Sequence, residues 1–486
     1  MPDLHTRGAV QLATQIATGE VSSVEVVEAF LAQIAKHNQR INAVVTLDAE
    51  GALVRAAQAD AALARGERWG PLHGVPITVK DAFATAGMRT TGGYAPLRDY
   101  VPAEDATAVA RLKGAGAVLL GKTNLPVLSG DYQSVNPIFG RTNNPWNLGH
   151  VPGGSSGGSA AAIAAQFSAL ELGSDYSGSI RVPAHYCGVY GLRPTEHRVP
   201  MTGHIPVLPG AVNSVRHINT VGPLARSIDD IELALALIAG PDGRDWQVPP
   251  VPLGREATPE PGALKIAISV DFDVPLSIDT HAGFTWLAGE LEQAGASVEL
   301  IRLGDFGFSL PEAYETFGEI AQAELGAGLS PEEERAAVSA FRANRTDDDP
   351  MARGMANAID ASARFYIASL LRREALVAAL HQAFEQRGWQ ALLTPVTACP
   401  AIPHCDTGTP IAVDDCDVPY WTAGIAYSSP FSLAGVPVLV APLTRSHDGL
   451  PIGMQVVGPR WGEARVLAVA RALEQFTGGF AAPPGY

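Results

Sequence analysis

Two glycine–serine loops hold the residues best suited to chemistry. The first, Gly153-Gly154-Ser155-Ser156-Gly157-Gly158-Ser159, runs into an alanine-rich stretch; the second, Gly173-Ser174-Asp175-Tyr176-Ser177-Gly178-Ser179-Ile180-Arg181, follows a short apolar segment. As a phosphate loop the first fails, because no Lys-Ser/Thr pair follows its last glycine to reach the outer phosphates. As a G-x-S-x-G nucleophile elbow centred on Ser156 it lacks the strand that must precede it: NNPWNLGHVP holds two prolines and no apolar run. A glycine loop that merely turns the chain into a helix is the plain alternative. The second loop weakens that alternative. Consecutive backbone N–H groups among small residues can converge into an anion-binding nest, which an acyl transfer needs beside a nucleophilic hydroxyl, here that of Ser179. A serine nucleophile also requires a base. Lys80 ends the apolar run GVPITVK; burial there disfavours its charge and leaves an amine able to take a proton. Taken alone, a lysine ending a strand is an ordinary surface residue.

These residues need elements to hold them. The first 65 residues read as helices, with Ser22-x-x-Glu25 as a capping box ahead of VVEAFLAQIAKH and a second helix in EGALVRAAQADAALARGE. Short β-prone runs at Val75–Val79 and Ala117–Leu120 enclose the helix-like DATAVARLKGAG, an alternation that suggests parallel βαβ units. Ser227 to Asp230 caps DIELALALIAG, and LKIAISV reads as a strand. Residues 279–386 read as mixed and mostly helical, with a polar break at Asn344–Pro350. ALLTPV, VPVLVAPL and IGMQVVG then read as strands, and EARVLAVARALEQF as a closing helix. The Pro-rich stretch 241–262 is the one good linker candidate. Neither side of it holds a complete sheet, so the reading is one continuous α/β domain over 1–486. Its parts are N-terminal helices (1–65), a core (70–240), a variable, mostly helical region (263–386), and C-terminal strands and a helix that complete the sheet (387–486).

The segments GVPITVKDAFATAGMRTTGG and VPGGSSGGSAAAIAAQFSALELGSDYSGSIRVPAHYCGVYGLRPT closely resemble the amidase signature family. NPIFGRTNNPWN, VGPLARSIDDIELALALIAGPD and PVLVAPL…GLPIGMQVVGP are similar too, so the resemblance spans roughly 5–475 and is least distinctive between about 265 and 385. It implies a single large domain with a mixed, twisted central sheet covered by helices on both faces. It also implies amide hydrolysis by a Ser–cis-Ser–Lys triad. Ser179 matches the nucleophile, Ser155 the bridging serine behind a cis peptide bond, and Lys80 the base. The backbone of Tyr176, Ser177, Gly178 and Ser179 matches the oxyanion hole. Ser129, Gly130, Asp131 and Gln133 match the acyl side of the pocket. Asp175 and Arg181 flank the nucleophile loop as opposite charges that can lock it. One departure stands out: family members usually carry two glycines before the nucleophile, where this chain has Ser177-Gly178. A left-handed φ at Ser177 would strain its β-carbon; otherwise its hydroxyl, or the Tyr176 phenol, faces the leaving group. Trp421, Tyr427 and Phe431 are candidates for the far wall of the pocket or for the core.

Composition bounds the partners. Among 486 residues, 50 acidic and 34 basic side chains give a net charge of −16. That excess repels nucleic acid and anionic membranes, and no basic run offsets it. The 50 glycines and 37 prolines exceed the roughly 12% usual share without reaching low complexity. Four cysteines make no disulfide framework. Cys399, His404, Cys405 and Cys416 lie close in sequence but lack C-x-x-C spacing, so they read as a loop of inert thiols rather than a metal site; Cys187 reads as core. No cofactor or metal is expected. The N-terminus lacks a signal peptide's basic and apolar regions, and the longest apolar runs are about half a bilayer span, so a cytoplasmic protein acting on a small-molecule amide is expected. Amphipathic N-terminal helices leave a homodimer open. The runner-up functions are the amidase subunit of a tRNA-dependent amidotransferase and a catalytically silent binding protein on the same scaffold.

Overall fold

Ser22 starts its helix as the sequence requires. Its hydroxyl accepts from the Glu25 amide while the Glu25 carboxylate takes the Ser22 N–H at 2.8 Å, a reciprocal cap on Ser23–Ile41. Asn42 ends that helix in the left-handed region at φ 57°. The next segment departs from the all-helical expectation for the first 65 residues: Val44–Leu47 is a strand, set between this helix and the helix Ala49–Ala64. Three of its four residues, Val44, Val45 and Thr46, are β-branched, and it pairs antiparallel along the edge of the main sheet. The apolar faces of Ala9–Ala17 and Ser23–Ile41, including Leu12, Ile16, Val27 and Phe30, are buried in the core. Their amphipathicity is thus satisfied within the chain and gives no argument for a second copy.

The computed structural model describes residues 3–486 except 206, 211–212, 328–331, 333–334, 337, 340–348 and 360. The polar break expected at Asn344–Pro350 lies, up to residue 348, outside the described residues. The described strands are, in chain order, β1 (Val44–Leu47), β2 (Pro76–Lys80), β3 (Val118–Thr123), β4 (Val135–Asn136), β5 (Gly140–Arg141), β6 (Leu170–Asp175), β7 (Tyr190–Arg193), β8 (Thr220–Ala225), β9 (Lys265–Ile268), β10 (Ser297–Leu300), β11 (Ala391–Pro395), β12 (Ile411–Val413), β13 (Cys416–Val418), β14 (Val438–Arg445) and β15 (Pro451–Val457). Eleven form one sheet in the order β1-β3-β2-β6-β8-β7-β14-β15-β11-β9-β10; β4 with β5 and β12 with β13 form separate ribbons.

The sheet is mixed. β3, β2 and β6 run parallel, as do β11, β9 and β10, while the strands between them pair antiparallel. β9 and β10 lie beyond the Pro-rich stretch yet complete the same sheet, so 241–262 is a connection within one large α/β domain. Helices flank the sheet. Gly157–Ala164 is buried along its whole length. Its glycines permit that: a β-carbon on Gly158 would sit 2.3 Å from the Asn124 backbone nitrogen. Among the described residues no helix is long and apolar enough to cross a membrane.

Candidate active site

β2 and β6 are parallel neighbours, with Thr78 opposite Glu171 and Val79 opposite Leu172. Their C-terminal ends therefore reach the same edge of the sheet, where open α/β sheets hold their ligands. This brings Lys80, the last residue of β2, beside Ser174 and Asp175, the last residues of β6. Lys80 is fully buried, with Nζ 2.6 Å from Ser155 Oγ and 3.0 Å from Ser174 Oγ. Burial pushes its pKa down to about 7, against the opposing pull of Asp175 and Glu171. The Gly154–Ser155 peptide is cis. Ser156 is turned away: its hydroxyl lies 3.3 Å from the Ser174 carbonyl, and the residues leading into it from His150 form no strand. The elbow geometry is absent.

The second loop is organised by Asp175. Arg181 meets this carboxylate with two nitrogens, Nη2 at 2.9 Å and Nε at 3.0 Å, and both side chains are fully buried. Burial alone would raise the Asp175 pKa, but Arg181, Arg193 and backbone N–H donors hold it at about 2. Those donors include Gly178 at 2.9 Å and Ile180 at 3.0 Å. The Gly178 amide, expected among the oxyanion donors, is thus already taken by Asp175. Among the described residues, the amides of Tyr176, Ser177 and Ser179 have no protein partner. Ser177 is not left-handed; the unusual φ, +133°, belongs to Gly178, where a β-carbon would lie 2.6 Å from Ser428 Oγ. The Ser177 carbonyl accepts from that Ser428 hydroxyl, which clamps the loop. Ser179 Oγ makes no hydrogen bond to any described residue, so the Lys80–Ser155 link is closed and the Ser155–Ser179 link is open. Such contacts often tighten only when substrate binds.

Ser155, Ser174, Tyr176, Ser177, Gly178 and Ser179 line one cavity of about 260 Å³. Of the expected pocket residues, Ser129, Gly130 and Asp131 line it as well. Asp131 is raised by burial and offset by the Thr407 and Tyr420 hydroxyls, which occupy one carboxylate oxygen each. Gln133 does not reach the cavity: its amide donates to the Cys405 carbonyl at 3.0 Å and to Tyr420 Oη at 2.9 Å. Trp421 is on the wall, whereas Tyr427 and Phe431 are core, packed on Phe272. Tyr176 packs edge-on to Phe317 at 5.7 Å, and its hydroxyl has no partner among the described residues. Cys187 is core, as expected.

Some of the lining could not be assigned beforehand. Ser174 contacts Lys80 and stood in plain view inside GSDYSGS. His204, Val215, Asn219, Phe317, Met351 and Met355 come from distant loops and helices, with no motif to flag them. Cys399 is buried, Cys405 partly so and Cys416 exposed, all unpaired. Among the described residues no group of three or more His, Cys, Asp or Glu side chains is placed to hold a metal.

Residues 25–467 match the Amidase family model. The chain belongs to the amidase family. It is similar to a glutamyl-tRNA(Gln) amidotransferase subunit of Geotalea daltonii, 34% identical over 489 residues and 96% of each chain. A solved structure described as an unexpected vestigial protein complex that reveals the evolutionary origins of an s-triazine catabolic enzyme is 32% identical. It aligns over 98% of this chain and 100% of its own, with a TM-score of 0.80. A bacterial aryl acylamidase of the amidase signature enzymes is 27% identical over 96% of both chains, with a TM-score of 0.79. Amidase-family membership makes this chain an enzyme acting on carbon–nitrogen bonds.

Proposed function

We propose that the chain hydrolyses a neutral, largely apolar linear carboxamide through an acyl-enzyme on Ser179. The observation that carries this reading is the buried Lys80 amine 2.6 Å from Ser155 Oγ, on the cavity that Ser179 also lines. Neutral Lys80 takes the Ser155 proton as Ser155 takes that of Ser179, and Ser179 Oγ attacks the amide carbonyl. The oxyanion is received by the unengaged amides of the Tyr176–Ser179 loop, those of Tyr176, Ser177 and Ser179. Removing one such donor typically costs about 3–4 kcal/mol of transition-state stabilisation, which accounts for the tight hold of Asp175 and Arg181 on the loop. Protonated Lys80 then returns a proton through Ser155 to the leaving nitrogen, and water releases the acid by the same relay.

The cavity argues for an apolar acyl group. Leu128, Tyr132, Phe317, Met351, Trp421 and Ile425 surround it, and Asp131 is the one charged residue among the described lining. A second reading, the amidase subunit of a tRNA-dependent amidotransferase working with partner subunits, is favoured by the curated relatives such as the Geotalea protein. Glutamine, however, carries a carboxylate, and no described lining residue is a lysine or arginine to meet it. A fluorophosphonate probe should label the wild type and not Ser179→Ala; an unlabelled wild type would favour a silent binding protein. Turnover of benzamide and propionamide above glutamine supports the first reading. Glutaminase activity with a co-purifying subunit would establish the second.

A further inference from the structure

A second, larger cavity of about 660 Å³ adjoins the first. Its wall carries five charged side chains, Glu104, Asp105, Arg216, Arg244 and Asp245, among apolar ones, and the exposure of Glu104, Arg244 and Trp246 shows that it opens to solvent. Among the described residues His204 alone lines both cavities. Its ring packs edge-on to Phe83 at 5.1 Å, and its amide is tied to the Met201 carbonyl at 3.1 Å. The side chain is therefore held in place, yet its Nε2 is buried with no hydrogen-bond partner among the described residues. Buried ring nitrogens are normally satisfied, so an unpaired one on a residue that lines a reactive cavity invites a partner from the substrate. Burial, aided by the nearby Lys80, pushes the ring down to about pKa 3 and keeps it neutral. A neutral imidazole has one bare acceptor nitrogen and one N–H donor.

We propose that His204 binds the leaving nitrogen of the amide and directs the released amine into the outer, polar cavity. The proposal rests on the Ser179 acyl-enzyme reading. As the C–N bond breaks, the nitrogen takes a proton from Ser155, resupplied by Lys80, and the acyl group stays on Ser179 Oγ. The N–H groups left on the departing nitrogen require an acceptor in a cavity otherwise largely apolar, and His204 supplies it at the border of the wet chamber. Ammonia and small primary amines are the leaving groups that this contact fits.

The reverse step isolates that contact. With p-nitrophenyl acetate as acyl donor, the acetyl-enzyme is divided between water and added hydroxylamine. The hydroxylamine nitrogen attacks the acetyl carbonyl, its proton enters the Ser155–Lys80 relay, and Ser179 leaves with a proton as acetohydroxamate forms. The readout is the hydroxamate-to-acetate ratio after subtraction of the uncatalysed reaction. This ratio is internal to each sample, so the amount of folded enzyme does not enter it. His204→Ala and His204→Phe should each lower the ratio about tenfold, the scale of one neutral hydrogen bond, while His204→Asn should restore it to within threefold of wild type. An unchanged ratio in both His204→Ala and His204→Phe would overturn the proposal, as would a wild type that forms no hydroxamate above background. Failure of Asn to restore a lowered ratio would also overturn it, by assigning His204 a packing role. Absence of Ser179-dependent acetate release is a different result and sinks the hydrolase reading itself.

Discussion

Lys80 and Lys122 lie on adjacent parallel strands, and both are fully buried with pKa values pushed down by burial, to about 7 and about 8. By composition and environment they are near twins. The register separates them. Lys80 stands opposite Thr123, and Lys122 opposite Val79, so alternation along the strands sends the two side chains to opposite faces of the sheet. On one face Lys80 meets the hydroxyls of Ser155 and Ser174, which line a cavity. On the other Lys122 donates to the Phe83 carbonyl and to Thr85 Oγ1 at 2.8 Å and Thr90 Oγ1 at 3.2 Å, closing a turn. Burial and a lowered pKa are therefore not enough to make a base. The amine also needs a neighbour whose proton it can take and an opening through which substrate arrives.

That contrast can be broken most directly by removing each amine. Lys80→Met should slow fluorophosphonate labelling of Ser179 by about 10²–10⁴-fold, the usual reach of general-base catalysis. Lys122→Met, compared per folded molecule, should label within about threefold of wild type. Equal losses in the two variants would erase the distinction. The stability effects should run the other way. Lys122→Met strands a carbonyl and two hydroxyls and should cost about 1–3 kcal/mol, read as a lower urea midpoint. Lys80→Met should leave that midpoint unchanged or higher, because catalytic sites are commonly held at some cost to stability.

The pH dependence sharpens the same comparison. The Lys80 amine accepts protons only when neutral, so acylation should be half-maximal near pH 7, where its lowered pKa lies. Below that it should fall about tenfold per unit, and above it reach a plateau. A flat profile between pH 5 and 9, with acylation rate-limiting, would remove Lys80 from the base role. The smallest effect is expected at Ser177. Its backbone is not left-handed, so Ser177→Gly relieves no strain and should change the amide kcat/KM by less than about twofold. A larger change would place its hydroxyl against the substrate.

Much of the site was legible because it is local. Ser155 and Ser179 stand in two short loops whose runs of small residues suit close backbone approach and little else, and Lys80 ends an apolar run. The helix caps at Ser22 and Ser227 were equally visible, since a cap is a contact between residues three apart. β1 is hard to read from the sequence because a four-residue run among helices is a weak signal, and it is held by pairing with β3, more than seventy residues later. The partner of the Gly178 amide is not legible in the sequence, because the amide donates to Asp175 and where that carboxylate points is decided by Arg181 and Arg193 together. Gln133 directly follows the lining residue Tyr132, yet its amide reaches Cys405 and Tyr420, well over 250 residues away.

Residue order alone established the α/β class, the family, and which lysine and serines were candidates for the reaction. These follow from local backbone preference and from motifs read within a few tens of residues. Folding decided which buried lysine faces a cavity, which loop amides are left unengaged, and that the walls are apolar and border a polar chamber at His204. Each of those facts depends on strand register or on side chains brought together from distant segments. A linear pattern carries no distance for such pairs, and a shift of one residue in the pairing of β2 with β3 would put both lysines on the same face of the sheet.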